Sequence, residues 1–299
     1  MKTYKVDKED EGARLDRWFK RHQPQVPHSM LSKLLRKGLV RVNGKKVETN
    51  FRVNSGDEIL VKALIGENSA NNSPNKARVK NYDPKDFWDM VIFENNDYIV
   101  INKPPGLATQ GGRGISISVD DMIRAINDRY KLVHRLDKDT SGVLVIAKKT
   151  TAAAKFSSLI KSRKMSKIYW ALVKGMPPKQ KGVVRLALAK KGERMEKMEV
   201  DEVEGKTAIS EYRVLEPLAG QMTWLELSPI TGRTHQLRVH CAAIGCPIIG
   251  DGKYGGSNAY VQGVSNNLHL HARSLSVPEL GINVVAELPK HMKPLAPNV

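Results

Sequence analysis

The stretch His134-Arg135-Leu136-Asp137-Lys138-Asp139-Thr140-Ser141-Gly142 decides how this chain is read. Seven of its nine side chains carry charge or can hydrogen-bond. It lies between Lys131-Leu132-Val133 and the apolar run Val143-Leu144-Val145-Ile146, which read as strand segments. A connection this polar between apolar strands is where a rigid scaffold presents functional groups. Asp, Ser, Thr and Gly also favour plain turns for local reasons. The residues alone therefore leave a site and a turn as equal readings.

Outward from that loop, strands alternate with a few helices over residues 86–299. Residues 90–93 and 98–102 read as paired strands around an Asn-Asp turn. Ser118 is placed to cap a helix carrying Met122, Ile123, Ile126 and Tyr130, with Asp121 in capping-box position. Residues 143–147 form a short apolar strand, and Thr150 or Thr151 opens a helix with Phe156, Leu159 and Ile160 on one face. Residues 168–173 and 222–227 give further strands. The expected fold class is α+β, with a mixed, largely antiparallel sheet flanked by helices and loops.

Of 299 residues, 49 are Lys or Arg and 31 are Asp or Glu, a formal net charge of +18. So large an excess makes the compact state repel itself and points to a polyanionic partner, RNA or DNA before a membrane surface. Hydrophobic residues make up 40%, which excludes a wholly disordered chain. Two cysteines cannot form a disulfide scaffold, and no apolar run is long enough to span a bilayer. The first ten residues lack an apolar segment and carry acids, so a signal peptide is not expected and the cytoplasmic compartment is.

Residues 65–85 are polar and aperiodic around Gly66-Glu67-Asn68-Ser69-Ala70-Asn71-Asn72-Ser73-Pro74 and read as a linker. Ahead of it, residues 1–64 hold fifteen Lys or Arg against eight Asp or Glu. Leu15, Trp18 and Phe19 mark one short helix. A second is expected over 29–37, capped by Ser29 and stopped at Gly38, with Met30, Leu31, Leu34 and Leu35 on its apolar face. Lys33, Arg36 and Lys37 fall on the opposite face. Asn43-Gly44 within Val40-Arg41-Val42-Asn43-Gly44-Lys45-Lys46-Val47 signals a hairpin. The order helix, helix, hairpin, seen here with Arg36 onward through Lys45, resembles the S4-like RNA-binding domain. Arg14, Arg17, Lys33, Arg36, Lys37, Arg41, Lys45 and Lys46 are the candidate phosphate contacts.

His134-Arg135-Leu136-Asp137-x-x-Thr140-Ser141-Gly142 resembles the signature of the RluA family of pseudouridine synthases. Asn102-Lys103-Pro104-Pro105-Gly106 is similar to the first motif of that family, and Thr231-Gly232-Arg233-Thr234-His235-Gln236-Leu237-Arg238-Val239-His240 to its third. Gly250-Asp251-x-x-Tyr254-Gly255 and Leu270-His271-Ala272 also agree. The resemblance spans roughly residues 90–275 and, with the S4-like unit, is nearest to the RluC and RluD branch. It implies isomerisation of uridine to pseudouridine in RNA, 23S ribosomal RNA first, by a monomer with no cofactor and no metal. By the same resemblance the catalytic carboxylate is Asp137, the base-displacing arginine Arg135, the active-site tyrosine Tyr169, and the ion-pairing arginine Arg238.

Physical chemistry fits these roles. A carboxylate beside the ribose can attack C1′ or take a proton from C2′, and the residues do not choose between them. A dry pocket raises its pKa, and an adjacent guanidinium opposes that by roughly 4 kcal/mol at about 4 Å and an effective dielectric near 20. Arg238 is expected on a helix over 234–244, holding Asp137 as a fork. His235, His240, Cys241 and Cys246 do not have a structural zinc spacing. Gly111-Gly112-Arg113-Gly114 reads as a loop near RNA, Asp139 as a turn acid, and Lys148, Lys149, Lys161, Arg163, Lys164 and Lys167 as additions to the RNA surface. Two rivals stay open: a non-catalytic RNA-binding factor for ribosome assembly, and a glycosidase or nucleosidase.

Overall fold

In the computed structural model the described residues are 2–24, 26–62, 83–112, 114–162, 164–191, 197–219 and 221–297. Most of the expected linker, together with Arg113 and Arg163, lies outside them. The chain divides into two compact units, one before residue 78 and one after.

The first unit has strand β1 (Lys2–Lys5), helices α1 (Leu15–His22) and α2 (His28–Arg36), and strands β2 (Val40–Val42) and β3 (Glu58–Val61). The strands form an antiparallel sheet in the order β1-β3-β2. Leu15, Trp18, Phe19, Leu31, Leu34 and Leu35 pack with Val40, Val42, Ile59 and Val61 in one core. Two expectations need correction. Helix α2 starts at His28 after Pro27, ahead of Ser29, because Pro27 in extended conformation ends the preceding segment. Met30 is exposed, since the face toward the core is already filled by Leu31, Leu34 and Leu35. The Asn43-Gly44 turn forms with both residues at positive φ, and Val42 and Lys45 exchange backbone hydrogen bonds of 2.9 and 3.1 Å. Pairing ends at that one bridge, because β2 takes β3 as its ladder partner.

The second unit is one eleven-stranded sheet with helices against it. Its strands are β4 (Val91–Glu94), β5 (Tyr98–Lys103), β6 (Lys131–Leu132), β7 (Ser141–Ala147), β8 (Ser166–Lys174), β9 (Lys181–Lys191), β10 (Lys197–Val200), β11 (Lys206–Leu218), β12 (Met222–Pro229), β13 (Leu270–Val277) and β14 (Ile282–Val285). Its helices are α3 (Pro84–Trp88), α4 (Val119–Ile126), α5 (Thr150–Lys161), α6 (Gln236–Ala243) and α7 (Gly252–Gly255). Helix α3 straddles the expected boundary at residue 86 and sends Phe87 into the main core. The strand order is β10-β9-β11-β12-β8-β13-β7-β5-β4, with β14 on β13 and β6 on β7. Of these pairings, β13 with β7 is parallel and the others are antiparallel.

Strand β7 is buried along its whole length, as a continuous apolar run covered on both faces should be. Tyr98, Val100, Leu144, Ile146 and Phe156 share its core with α4, whose capping box joins Ser118 and Asp121. At its entrance, Gly142 has φ +106°, and a Cβ there would lie 2.2 Å from the Ala272 carbonyl oxygen on β13. The parallel pairing that brings the loop 133–140 beside β13 therefore requires glycine. Gly142→Ala is expected to cost about 3 kcal/mol or more through clash and positive-φ strain, read as a lower thermal midpoint. An unchanged midpoint would contradict the close approach.

Candidate active site

The loop before β7 is clamped from both sides. Lys103, fully buried at the end of β5, donates from Nζ to the carbonyls of Pro104, Leu107 and Lys138 at 3.0, 2.7 and 3.0 Å. Three acceptors match the three N–H bonds of an ammonium. Burial pushes its pKa down to about 7, opposed by the charges of Asp139 and Asp137. Thr109 Oγ1 donates to the Leu136 carbonyl at 2.7 Å and accepts from the Leu136 amide at 3.1 Å. His134 Nε2 accepts from the Val145 amide at 3.0 Å, and its ring stacks on Phe156. Burial, with Lys167 adding to it, pushes His134 down to about 3, so it is neutral. These contacts hold residues 134–138 and leave the Asp137 side chain projecting into a cavity.

That cavity has a volume of about 480 Å³. Asp137, Arg135, Tyr169, Lys167, His235 and Arg238 are among the residues that line it. Arg135 is exposed, while Asp137 and Tyr169 are half-buried. Burial, and then the charge of Asp137, pushes the Tyr169 hydroxyl up to about 12, so it remains protonated.

Asp137 Oδ2 accepts a long hydrogen bond from Arg238 Nη1 at 3.5 Å, and His235 Nε2 lies 3.6 Å from the same oxygen. Oδ1 makes no hydrogen bond among the described residues. The fork of Arg238 does not close on Asp137. It closes on Asp251, with Nε–Oδ2 2.8 Å and Nη2–Oδ1 2.7 Å. Asp251 is buried and caps α7, its carboxylate accepting from the Tyr254 amide. Burial lowers the pKa of Arg238, and hydrogen bonding and charge from Asp251, with the charge of Asp137, more than reverse that. The expected helix over 234–244 begins two residues later. His235 is left-handed at φ 53°, and the Gln236 side chain binds Thr231 and the Arg233 amide, making 231–235 a turn.

His235 and Asp251 were not singled out as site residues by the sequence. His235 Nδ1 lies 2.7 Å from Tyr254 Oη, which also accepts from the Met198 amide at 3.0 Å. Burial lowers the His235 pKa against the charge of Asp137. An imidazole whose Nδ1 accepts a hydrogen bond from the Tyr254 hydroxyl carries its own proton on Nε2, toward the carboxylate. The matching Gly-Asp-x-x-Tyr-Gly stretch was the available signal, because Asp251 and Tyr254 come from it.

Of the other candidates, Cys241 and Cys246 are buried free thiols in an apolar cluster. Asp139 is exposed. Lys148, Lys149 and Lys164 are paired with Glu94, Asp97 and Glu279.

A profile of the RNA pseudouridylate synthase family matches residues 97–243, and an S4 domain profile matches residues 13–59. The ribosomal large subunit pseudouridine synthase C of Rickettsia conorii is 38% identical over 276 residues, covering 89% of each chain. The chain belongs to the RNA pseudouridylate synthase family. The synthase is also 33% identical to the ribosomal large subunit pseudouridine synthase C of Vibrio vulnificus, over 90% of this chain and 86% of that one. The structure of human RNA pseudouridylate synthase domain containing 4 superposes with a TM-score of 0.60 at 29% identity, covering 72% of this chain and 97% of that one. The synthase thus joins an S4 domain to a pseudouridine synthase fold, in the α+β class expected.

In the S4 domain, Lys33, Arg36, Lys37, Lys45 and Lys46 are exposed and Arg41 is half-buried. Arg41 donates to the Gly38 and Gly44 carbonyls, bracing the turn. Arg14 is exposed and pairs with Asp16 at 2.7 Å. A second concavity of about 290 Å³ is lined by Arg14, Arg17, Arg21 and Arg52 around Asp10 and Trp18. Arg21 and Arg52 were missed by the sequence because they are 31 residues apart and belong to no common periodic face.

Proposed function

We propose that this synthase isomerises uridines of large-subunit (23S) ribosomal RNA, with Asp137 as the reacting carboxylate. One observation carries the reading: Asp137 projects from a doubly clamped loop into a cavity, with Oδ2 facing Arg238 and His235 and Oδ1 without a hydrogen bond among the described residues. The free oxygen meets the ribose, either at C1′ as nucleophile or at the C2′ proton as base. Arg238, fixed by Asp251, holds a positive charge 3.5 Å from the carboxylate. Tyr169, on the cavity wall, stacks on the extruded base. Arg135, exposed at the rim, fills the vacated place in the RNA with a planar cation. The names of the relatives support the ribosomal target. A monomer acting in the cytosol goes with the same reading.

Tritium release from [5-³H]uridine in ribosomal RNA tests the reaction. Release with no free base or sugar is expected. Free base would instead identify a nucleosidase, and binding without release would identify an assembly factor.

The domain assignment proposed is an S4-like RNA-binding unit over residues 1–64 and a catalytic unit over 86–299. The exposed cations of the first, from Lys33 to Lys46, track phosphates. Deleting residues 1–64 is expected to weaken RNA binding and flatten the dependence of log K on log salt by roughly 0.7 for each phosphate no longer neutralised. An unchanged slope would mean that this basic face is idle.

A further inference from the structure

Lys167 differs from the other cations of the cavity. Arg135 and Arg233 are exposed at its rim, and Arg238 is committed to Asp251. Lys167 is half-buried on β8 and makes no ion pair or side-chain hydrogen bond among the described residues. Burial lowers its pKa, and no carboxylate offsets that, not even Asp137 of the same cavity. Holding an ammonium away from water without a counter-charge is unfavourable. Such a site suits a ligand that supplies the negative charge.

The strand geometry says which part of the ligand Lys167 meets. Residues 167 and 169 are two apart on β8, so both side chains leave the same face of the sheet, about 7 Å apart. Both line the cavity. A base stacked on Tyr169 therefore brings its edge toward Lys167. Phosphates stay with the RNA backbone at the rim, where Arg135 and Arg233 are exposed.

We infer that Lys167 is a catalytic residue that stabilises the anionic oxygen of the uracil ring as its bond to ribose breaks. The inference rests on the synthase reading above, but not on the identity of the first step. If Asp137 attacks C1′, the C1′–N1 electron pair passes to the ring and the ribose is held as an ester. If Asp137 takes the C2′ proton, the C2′–H pair forms C1′=C2′ and the C1′–N1 pair again passes to the ring. Either way the ring becomes an anion, with its charge shared between N1, C5 and the O2 and O4 oxygens. The ring then turns and C5 bonds to C1′, releasing the ester or, on the second route, with the C2′ proton returned. Loss of the C5 proton and gain of one at N1 complete the isomerisation, with no atom gained or lost overall. A cation beside the oxygens acts when that charge develops, which raises the rate more than it tightens ground-state binding.

The test compares Lys167→Met and Lys167→Arg with wild type in single-turnover tritium release at saturating RNA, alongside RNA affinity and thermal midpoint. Lys167→Met is expected to slow the step by about 100-fold or more, with RNA affinity changed less than about threefold. Lys167→Arg should recover at least tenfold of that loss. The midpoint of the Met variant should stay level or rise, because an unpaired half-buried cation has been removed. Loss confined to affinity would mean the anion is a phosphate oxygen and would overturn the inference, as would an unchanged rate. A rate loss that tracks a falling midpoint in both variants would assign Lys167 a structural role and overturn it too. Wild-type enzyme that binds ribosomal RNA but releases no tritium would overturn the underlying reading instead, a result distinguishable before any variant is made.

Discussion

Asp137→Asn is expected to eliminate pseudouridine formation, by at least about 10³-fold, while RNA affinity stays nearly unchanged. The amide is almost the same size as the carboxylate, and the loop that carries it is held through backbone groups of Leu136 and Lys138 rather than through the Asp137 side chain. Geometry should therefore survive. What is lost is the anionic oxygen proposed to attack C1′ or to accept the C2′ proton, a capacity that Asn lacks. Asp139, the nearest acid in sequence, is exposed. RNA binding could tighten slightly, since one negative charge facing phosphates has gone. Single-turnover tritium release with a parallel binding titration measures both effects. Retained turnover would remove the role assigned to this carboxylate.

Arg238→Met is expected to be the more damaging change to the protein, because it disturbs two carboxylates. Toward Asp137 it removes one donor at 3.5 Å, and a loss of about 10² to 10³ in rate follows from uncompensated desolvation of the reacting oxygen. Toward Asp251 it removes a bidentate partner from a buried charge, a change that typically costs about 3–5 kcal/mol. For a domain of this size that is a fall of roughly 10 °C in thermal midpoint. Arg238→Lys separates the contributions. It keeps the charge but not the fork, so it should recover part of the stability and less of the rate. Wild-type activity in Arg238→Met would rule out the ion-pair argument, and an unchanged midpoint would contradict the Asp251 fork.

The elements legible in advance share a physical feature: their signals are local. Leu31, Leu34 and Leu35 mark α2 by helical spacing, Ser118 and Asp121 mark the start of α4, and Asn43-Gly44 marks a turn that only a positive-φ pair makes easily. The run from Val143 to Ala147 announces a strand buried on both faces. The long strands β9 and β11 carry no comparable signal. Along β9 exposed and half-buried positions alternate only as far as Leu186, and Arg185, Lys190 and Lys191 interrupt its apolar residues, so no strong periodic pattern survives.

By itself the sequence determined that a basic, helix-and-hairpin unit precedes an α+β unit, and, through its resemblance to a family signature, it singled out the loop 134–142 as the candidate chemical centre. It did so because turn chemistry, side-chain period and a dense motif are properties of adjacent residues. Which charges meet was decided by the tertiary structure alone. Asp137 and Arg238 are 101 residues apart, and the fork that sequence reasoning gave to Asp137 belongs to Asp251. Lys167, read as one more surface cation, lies half-buried beside Tyr169 because the pleat of β8 turns both toward the cavity. Ion pairing and burial depend on distance and on exclusion of water in three dimensions, and neither is encoded at the position of a single residue.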